Sequence, residues 1–219
     1  MKKTILVLVG LLLASSAAFA DTQYNNTSQV NFIVYSFGNP NSATFGETFS
    51  APLTDTILND FSLFLSPSDS SGQLEGYVGT WTGSEVGSIL YTSLPVTVNG
   101  VTEFTFNTGG LSLIAGDEYV AFISISEPSY SSYSGTTTIP SVAAFPPSIP
   151  GGSAVYLSNS NDISQFTSGN NWGEGSGVDS EFIADFSLGA SPTPEPSSLL
   201  LFGTGLTGFA GALRRKFAR

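Results

Sequence analysis

Between residues 21 and 191 the sequence contains no lysine, arginine, histidine or cysteine. The six basic residues of the 219-residue chain lie near its two ends, whereas 16 of its 17 acidic residues lie inside this span. The span therefore carries a side-chain charge of −16. Because cations are needed to neutralise phosphates, we expect no nucleic-acid partner and no binding to anionic membranes through a basic patch.

The lack of histidine and cysteine extends over the whole chain and excludes disulfides, Ser-His and Cys-His nucleophile pairs and ordinary zinc sites. The remaining catalytic groups are carboxylates and hydroxyls. A carboxylate pair can hydrolyse glycosides. With 16 acids in the span, however, some pairs arise by chance, so a pair is not a specific sign of an enzyme. Without a cation, acyl and phosphoryl transfer lose their usual electrostatic stabiliser. We expect no enzyme, and a carboxylate-based glycosidase is the third choice of function.

The N-terminus has the three parts of a secretory signal peptide. Two lysines precede an apolar stretch at 5–13, and small residues follow, ending with Ala18 and Ala20 on either side of a phenylalanine. This order predicts a signal peptide over residues 1–20 and a mature chain that begins at Asp21. The alternative is a buried N-terminal helix.

The C-terminal residues 192–219 form a second segment unlike the domain. Three alternating prolines, which disfavour a helix, precede 17 uncharged residues at 197–213, rich in leucine, glycine and phenylalanine. At 1.5 Å per residue, a helix of this length covers about 25 Å, enough for one transmembrane helix if its flanking arginines snorkel. The basic residues at 214–219 would stay on the cytoplasmic side.

Three features of this segment occur together: the tripeptide Pro194-Glu195-Pro196, the short apolar helix, and a basic end that starts with Arg214 and Arg215. Together they resemble the PEP-CTERM sorting signal. The resemblance implies that exosortase, a membrane-embedded cysteine transpeptidase, cuts near the tripeptide and transfers the protein to a surface anchor. Such systems accompany exopolysaccharide production in Gram-negative bacteria. The alternative is a plain, uncut tail anchor, and in both cases the domain lies outside the inner membrane.

The 21–191 span reads as one folded all-β domain, because it holds 13 phenylalanines, 8 tyrosines and 2 tryptophans and shows alternation rather than helical periodicity. Short segments rich in Val, Ile, Tyr, Phe and Thr are separated by Gly, Pro, Asn, Asp and Ser, which predicts an antiparallel β-sandwich or jelly roll. The predicted strands are 30–37, 43–49, 61–65, 76–81, 88–92, 96–98, 101–106, 111–113, 119–126, 154–157 and 181–188.

Three local patterns refine this picture. Asn99-Gly100 between two of the strands predicts a tight type I′ hairpin. Tyr119, which follows a Gly-Asp-Glu turn, resembles the corner tyrosine of Ig-like sandwiches, and we expect its ring in the core and its hydroxyl bonded back to the chain. The stretch at 127–152, with five prolines, is interpreted as a long irregular loop that is either functional or mobile.

The most distinctive loop runs through 168–179 and contains Asn170, Asn171 and Trp172 among glycines and acids. A pyranose ring stacks on tryptophan while amides and carboxylates bind its hydroxyls, so this loop is a candidate sugar site, and Trp81 is a second candidate platform. The favoured alternative is a glycine-rich surface loop whose tryptophan packs back onto the sandwich.

Calcium is the only cofactor that the composition suits, and we assign none. Asp179, Glu181 and Asp185, or Asp117 with Glu118, supply hard oxygen ligands, and a strongly acidic domain gains from a bound cation. No spacing matches an EF-hand, and a solvated acidic face that keeps the protein soluble is the favoured interpretation.

From these observations we expect an exported acidic β-sandwich sorted by exosortase, displayed at or released from the surface of a Gram-negative cell. Its expected role is structural or adhesive, in a biofilm or exopolysaccharide matrix. The runner-up is a carbohydrate-binding module that uses Trp172 or Trp81, with or without calcium. The expected partners are exosortase, extracellular polysaccharide and, before processing, the membrane.

Overall fold

In the computed structural model of the chain, the described residues are 21–38, 42–66, 72–126, 137–143, 148–159, 162–168, 171–175 and 177–189. They form strands and two 3-10 helices, at Thr27–Gln29 and Ile163–Phe166, and within these ranges there is no α-helix. The strands are β1 Thr22–Asn25, β2 Phe32–Phe37, β3 Thr44–Ser50, β4 Ile57–Phe64, β5 Gly72–Trp81, β6 Val86–Thr92, β7 Val96–Val98, β8 Glu103–Ser112, β9 Glu118–Ser124, β10 Thr137–Ala143, β11 Ala154–Leu157, β12 Gly173–Gly175, β13 Val178–Ser180 and β14 Phe182–Ser187.

All pairings between these strands are antiparallel, and they make three sheets. Sheet I has the order β1-β14-β4-β8, and sheet II has the order β12-β11-β3-β9-β5-β6, with β7 paired to β5. Sheet III is the short set β13-β10-β2. The predicted all-β antiparallel fold class is confirmed.

Sheets I and II face each other across the main core. Phe49 of β3 lies 5.9 Å from Phe182 and 5.8 Å from Phe186 of β14, measured between ring centroids. Phe106 of β8 packs directly on the backbone of β5 at Gly76, because a Cβ there would lie 2.5 Å from the ring. These contacts between residues of different sheets define a β-sandwich.

Sheet II is buried on its outer face as well. A second cluster of buried apolar residues lies there, and it includes Tyr77, Trp81, Phe122, Phe166 and Trp172. Burial on both faces explains why every residue of β9 after its first is buried, in place of the alternating pattern of a sheet with one wet face.

Most predicted strands are present with shifted ends, but the predicted hairpin at Asn99-Gly100 is wrong. β7 pairs with β5 and β8 pairs with β4, so this turn carries the chain from one side of the sandwich to the other. Gly100 has a φ of +67°, which suits glycine. The strand pairing depends on residues that are far away in the sequence, so the local turn signal does not predict it.

The interpretation of 127–152 as an irregular loop also needs correction. β10 lies within it and is the central strand of sheet III, between β13 and β2. The sequence pattern does not predict this strand, because Pro140 lies within it and proline is rare in interior strands. The carbonyl of Pro140 still accepts a hydrogen bond from Glu181 N, at 2.9 Å. Residues 127–136 and 144–147 of this stretch lie outside the described residues.

The corner tyrosine is confirmed. Tyr119 is 3% exposed, and its hydroxyl accepts a hydrogen bond from Ile114 N at 2.8 Å. Its ring also stacks near Phe49, with centroids 6.0 Å apart. The residue thus ties the loop before β9 to the main core, which fixes one wall of the groove described below.

Candidate functional site

Trp172 lies in the cluster on the outer face of sheet II. The side chain of Asp162 accepts a hydrogen bond from Ser164 N at 3.0 Å and caps the 3-10 helix Ile163–Phe166, which carries Phe166 onto the sheet. Trp172 then covers Phe122, with centroids 5.3 Å apart, and its indole Nε1 donates to Phe166 O at 3.0 Å. With 8% exposure and its one donor satisfied, Trp172 has the geometry of a packing anchor.

Of the other residues predicted at this site, Asn171 and Trp81 are described by the structure and Asn170 is not. Asn171 is exposed beside Trp172, and Asn170 lies outside the described residues. Trp81, from the end of β5, contacts Trp172 edge to face and is 9% exposed. The structure therefore brings the two tryptophans into one cluster as partners of each other, and both rings are largely buried.

A groove of about 520 Å³ opens where three parts of the chain meet at one end of sheet II. Trp81 and its threonine neighbours come from the end of β5, and Ile114 and Asp117 come from the loop between β8 and β9. Glu118 and Tyr119 begin β9 and complete the wall. The pairing of Thr80 with Tyr119 in adjacent strands is what places these segments side by side.

The chemistry of this groove is mixed. Trp81 and the largely exposed Ile114 supply apolar surface, while Asp117 and Glu118 supply carboxylate acceptors and the threonines supply hydroxyls. Apolar surface beside a few polar groups is typical of small-ligand sites. Sequence reasoning named Trp81, Asp117 and Glu118 separately and did not predict that they line one groove.

Asp179, Glu181 and Asp185, which were suggested as one calcium set, do not form a group of three in the described part of the chain. Asp179 is buried beside Glu47, and Asp185 lies opposite Asp60 on the outer face of sheet I. Partial burial first, and the nearby Asp185 charge second, raise the pKa of Asp60. Burial, followed by the charge of Glu103, raises the pKa of Glu181. Among the described ranges, no three Asp or Glu residues are close enough to hold one metal ion.

Glu47 is a fully buried acid that the sequence analysis does not single out. It lies on β3 between Phe45 and Phe49, and the period-2 pattern places all three side chains on the core face of sheet II. That alternation was the available signal, since it predicts an ionisable group among buried rings. The sorting residues Ala18, Ala20, Pro194, Glu195, Pro196, Arg214 and Arg215 lie outside the described residues.

The apolar segment 197–213 also lies outside them. Of the residues that the structure describes, none belongs to a helix long and apolar enough to cross a membrane.

Comparison with solved structures finds a similar chain arrangement in Cwp84. The cysteine protease and lectin-like domains of Cwp84, a surface layer associated protein of Clostridium difficile, align with a TM-score of 0.48 and 11% identity, over 77% of this chain and 36% of that one. A second structure of clostridial Cwp84, after propeptide cleavage, aligns with a TM-score of 0.46 and 12% identity, over 77% and 40%. This chain thus spans less than half the length of either. No curated protein matches it.

The C-terminal end gives a direct family match. Residues 192–216 match the PEP-CTERM protein-sorting motif, the segment that holds the Pro-Glu-Pro tripeptide and the first basic residues after the apolar run. The motif implies processing by exosortase and indicates a membrane-anchored precursor. The chain therefore carries a PEP-CTERM sorting motif at its C-terminal end, which implies an exported precursor that exosortase processes.

Proposed function

We propose that the sandwich domain is a non-enzymatic structural or adhesive component of the extracellular matrix of a Gram-negative bacterium, linked to its exopolysaccharide or biofilm. The observation that carries the proposal is that the large aromatic side chains are buried in packing. Both tryptophans and most of the described phenylalanines are buried in two clusters, one on each face of sheet II. A sheet packed on both faces is suited to a rigid spacer.

Charge supports the same role. The domain carries 16 acidic and no basic side chains, so copies of it repel one another and stay solvated on a crowded surface. A sorting motif attached to such a domain supplies the link to the cell. The catalytic alternative is less well supported, because the closely paired acids Glu47 and Asp179 are fully buried, where a glycan does not reach them.

The test is genetic complementation in the host bacterium. We expect deletion of the gene to reduce the mass or cohesion of the matrix and the full chain to restore it. A chain that lacks residues 192–219 should be made and exported but should not restore the matrix. A matrix that is unchanged by the deletion would contradict the proposal.

A carbohydrate-binding module is the second candidate, and the groove is the observation that favours it. Asp117 and Glu118 line the groove together with Trp81, and their carboxylates can accept hydrogen bonds from sugar hydroxyls. With no cation in the 21–191 span, the groove is better suited to a neutral glycan than to an acidic one.

The two tryptophans make this candidate easy to test by fluorescence. In a Trp172→Phe variant the emission comes from Trp81, and titration with neutral host polysaccharide should give a saturable shift if the groove binds it. The matched Trp81→Phe variant reports from Trp172 and should respond weakly. Replacing Asp117 and Glu118 by alanine should remove the shift, because it removes both acceptors, whereas a flat titration of every variant would leave only the structural role.

A further inference from the structure

Glu47 and Asp179 are acids from different sheets that are both fully buried, each with 0% exposure. Glu47 belongs to β3 of sheet II, and Asp179 belongs to β13 of sheet III. Burial of two adjacent carboxylates is costly unless their charge is compensated. Residues 21–191 contain no basic side chain, so no ion pair within this span compensates the two acids.

The hydrogen bonds leave one oxygen on each acid without a partner. Glu47 Oε2 accepts from Ser180 N at 2.7 Å. Asp179 Oδ2 accepts from Ser148 N at 2.8 Å, from Ser148 Oγ at 2.9 Å and from Ile149 N at 3.2 Å. Glu47 Oε1 and Asp179 Oδ1 are buried and receive no donor among the described residues.

These two oxygens belong to carboxyl groups close enough to hydrogen-bond each other. Two ionised carboxylates offer only acceptors, so one proton is required to turn this contact into a bond. Asp179 Oδ2 already accepts hydrogen bonds from three donors, so its carboxyl acts as an acceptor at this site. Burial first, and the charge of Asp179 second, raise the pKa of Glu47 well above its ordinary value.

The surroundings of Glu47 leave little space for a metal ion. A Cβ built on Gly152 would lie 2.8 Å from Glu47 Oε1 and 2.8 Å from Ile149 O. Calcium needs about six to eight oxygen ligands. The turn before β11 is packed too closely against the carboxyl to hold such a shell, whereas a proton needs no added space.

We propose that Glu47 and Asp179 share one proton, carried on Glu47 Oε1 and donated to Asp179 Oδ1, and that this bond fastens sheet III to the inner face of sheet II. The bond lies beside a second link between the sheets, from Ser180 Oγ to Gly46 O at 2.9 Å. Loss of the proton leaves two anions in contact inside the core. The folded domain is therefore more stable at acidic pH than at alkaline pH.

The direction of the pH dependence follows from linkage. Because the folded state holds the proton more tightly than the unfolded chain, the stabilisation is complete below the ordinary glutamate pKa and is lost as the pH rises through the folded-state pKa. Asp179 is the ionisable group that faces Glu47 from β13. The neighbouring strands β9 and β11 place Ala121 and Ala154 opposite it, and residues 144–152 contain no ionisable side chain.

The composition makes this dependence easy to isolate. Residues 21–191 contain no histidine or cysteine, the side chains that ordinarily titrate between about pH 6 and 9. Asp60 and Glu181 also have raised pKa values, but they lie on a partly exposed face of sheet I. An Asp60→Asn variant is the matched control for the contribution of a surface acid pair.

The experiment uses infrared spectroscopy and thermal melting of the full chain in detergent. We expect a protonated carboxylic acid band at neutral pH that titrates away in alkali. It should be absent from Glu47→Gln and retained in Asp60→Asn. The melting temperature of the wild type should fall by about 5 °C or more between about pH 5 and pH 9, relative to Glu47→Gln.

Glu47→Gln is the decisive variant because its amide reproduces the protonated acid. The Gln oxygen accepts from Ser180 N, and its N–H donates to Asp179 Oδ1 at any pH. Absence of the acid band from the wild type at neutral pH would overturn the proposal, and that measurement needs no variant. A melting temperature that rises with calcium in the wild type and not in Glu47→Gln would also overturn it, since the pair would then bind a metal.

Discussion

Trp172 and Trp81 meet edge to face on the outer side of sheet II, with ring centroids 5.8 Å apart and ring planes at 86°. The contact joins the end of β5 to a segment about 90 residues later in the chain. Trp172 also packs on Phe122 in the outer cluster, and Trp81 lines the groove. Trp172 and Trp81, the two tryptophans of the chain, therefore serve in packing.

Replacement of Trp172 by alanine should destabilise the domain by about 3–5 kcal/mol, because it removes a buried ring and leaves a cavity. Trp172→Phe should cost less, since it keeps most of the apolar contact and loses the hydrogen bond to Phe166 O. Urea unfolding followed by circular dichroism measures both. If Trp172→Ala unfolds at the wild-type urea concentration, Trp172 is not a packing anchor, and a stacking role on the surface regains support.

How much of this arrangement was visible in the sequence depends on the range of the interaction. Alternation identified strands such as β14, where Phe182, Ala184 and Phe186 are buried and the residues between them are half-buried. The resemblance of the Gly-Asp-Glu turn before Tyr119 to the corner of Ig-like sandwiches predicted the corner, and that contact spans only five residues. Local patterns of this kind predict structure correctly because they depend on residues that are close together in the sequence.

Long-range pairing was not visible in the sequence. The turn Asn99-Gly100 is compatible with a hairpin, yet β7 joins β5 instead, and no local residue specifies that choice. The groove that contains Trp81 and Asp117 exists only because β5 pairs with β9. The same holds for Glu47 and Asp179, which are 132 positions apart in the sequence.

Gly76→Ala should destabilise the sandwich by roughly 1–3 kcal/mol through overpacking. An added Cβ would lie 2.5 Å from Cγ of Phe106, which forces the ring or the strand to move. Chemical denaturation gives the cost. The double variant Gly76→Ala with Phe106→Leu should cost less than the sum of the single changes, because the smaller side chain makes room. Strict additivity would mean that Phe106 does not occupy the space above Gly76.

Tyr119→Phe should cost about 1–3 kcal/mol, because it leaves the N–H of Ile114 without its acceptor in a partly buried position. Tyr91→Phe is a matched control, since the Tyr91 hydroxyl donates to Asn107 O in an exposed setting where water replaces it. We expect the control to change the free energy of unfolding by less than about 1 kcal/mol. Equal effects in the two variants would show that the corner hydrogen bond adds nothing to stability.

The processing of the chain gives a prediction that mass spectrometry of the protein isolated from its host checks directly. The PEP-CTERM motif at 192–216 implies cleavage by exosortase, so we expect a mature C-terminus near Pro196. The predicted signal peptide sets the mature N-terminus at Asp21. Both cuts together remove all six basic residues and leave the N-terminal amine as the one positive group of the acidic domain.

Substitution of Pro194, Glu195 and Pro196 by alanine should block the second cut and retain the chain in the membrane fraction, with its C-terminal arginine intact. The matched control replaces three residues outside the motif, Ser187, Leu188 and Gly189, and should be processed normally. An intact Arg219 in the wild-type protein would mean that the segment acts as a permanent anchor. In that case the basic cluster stays with the protein, and the mature chain retains a cationic end beside an otherwise polyanionic domain.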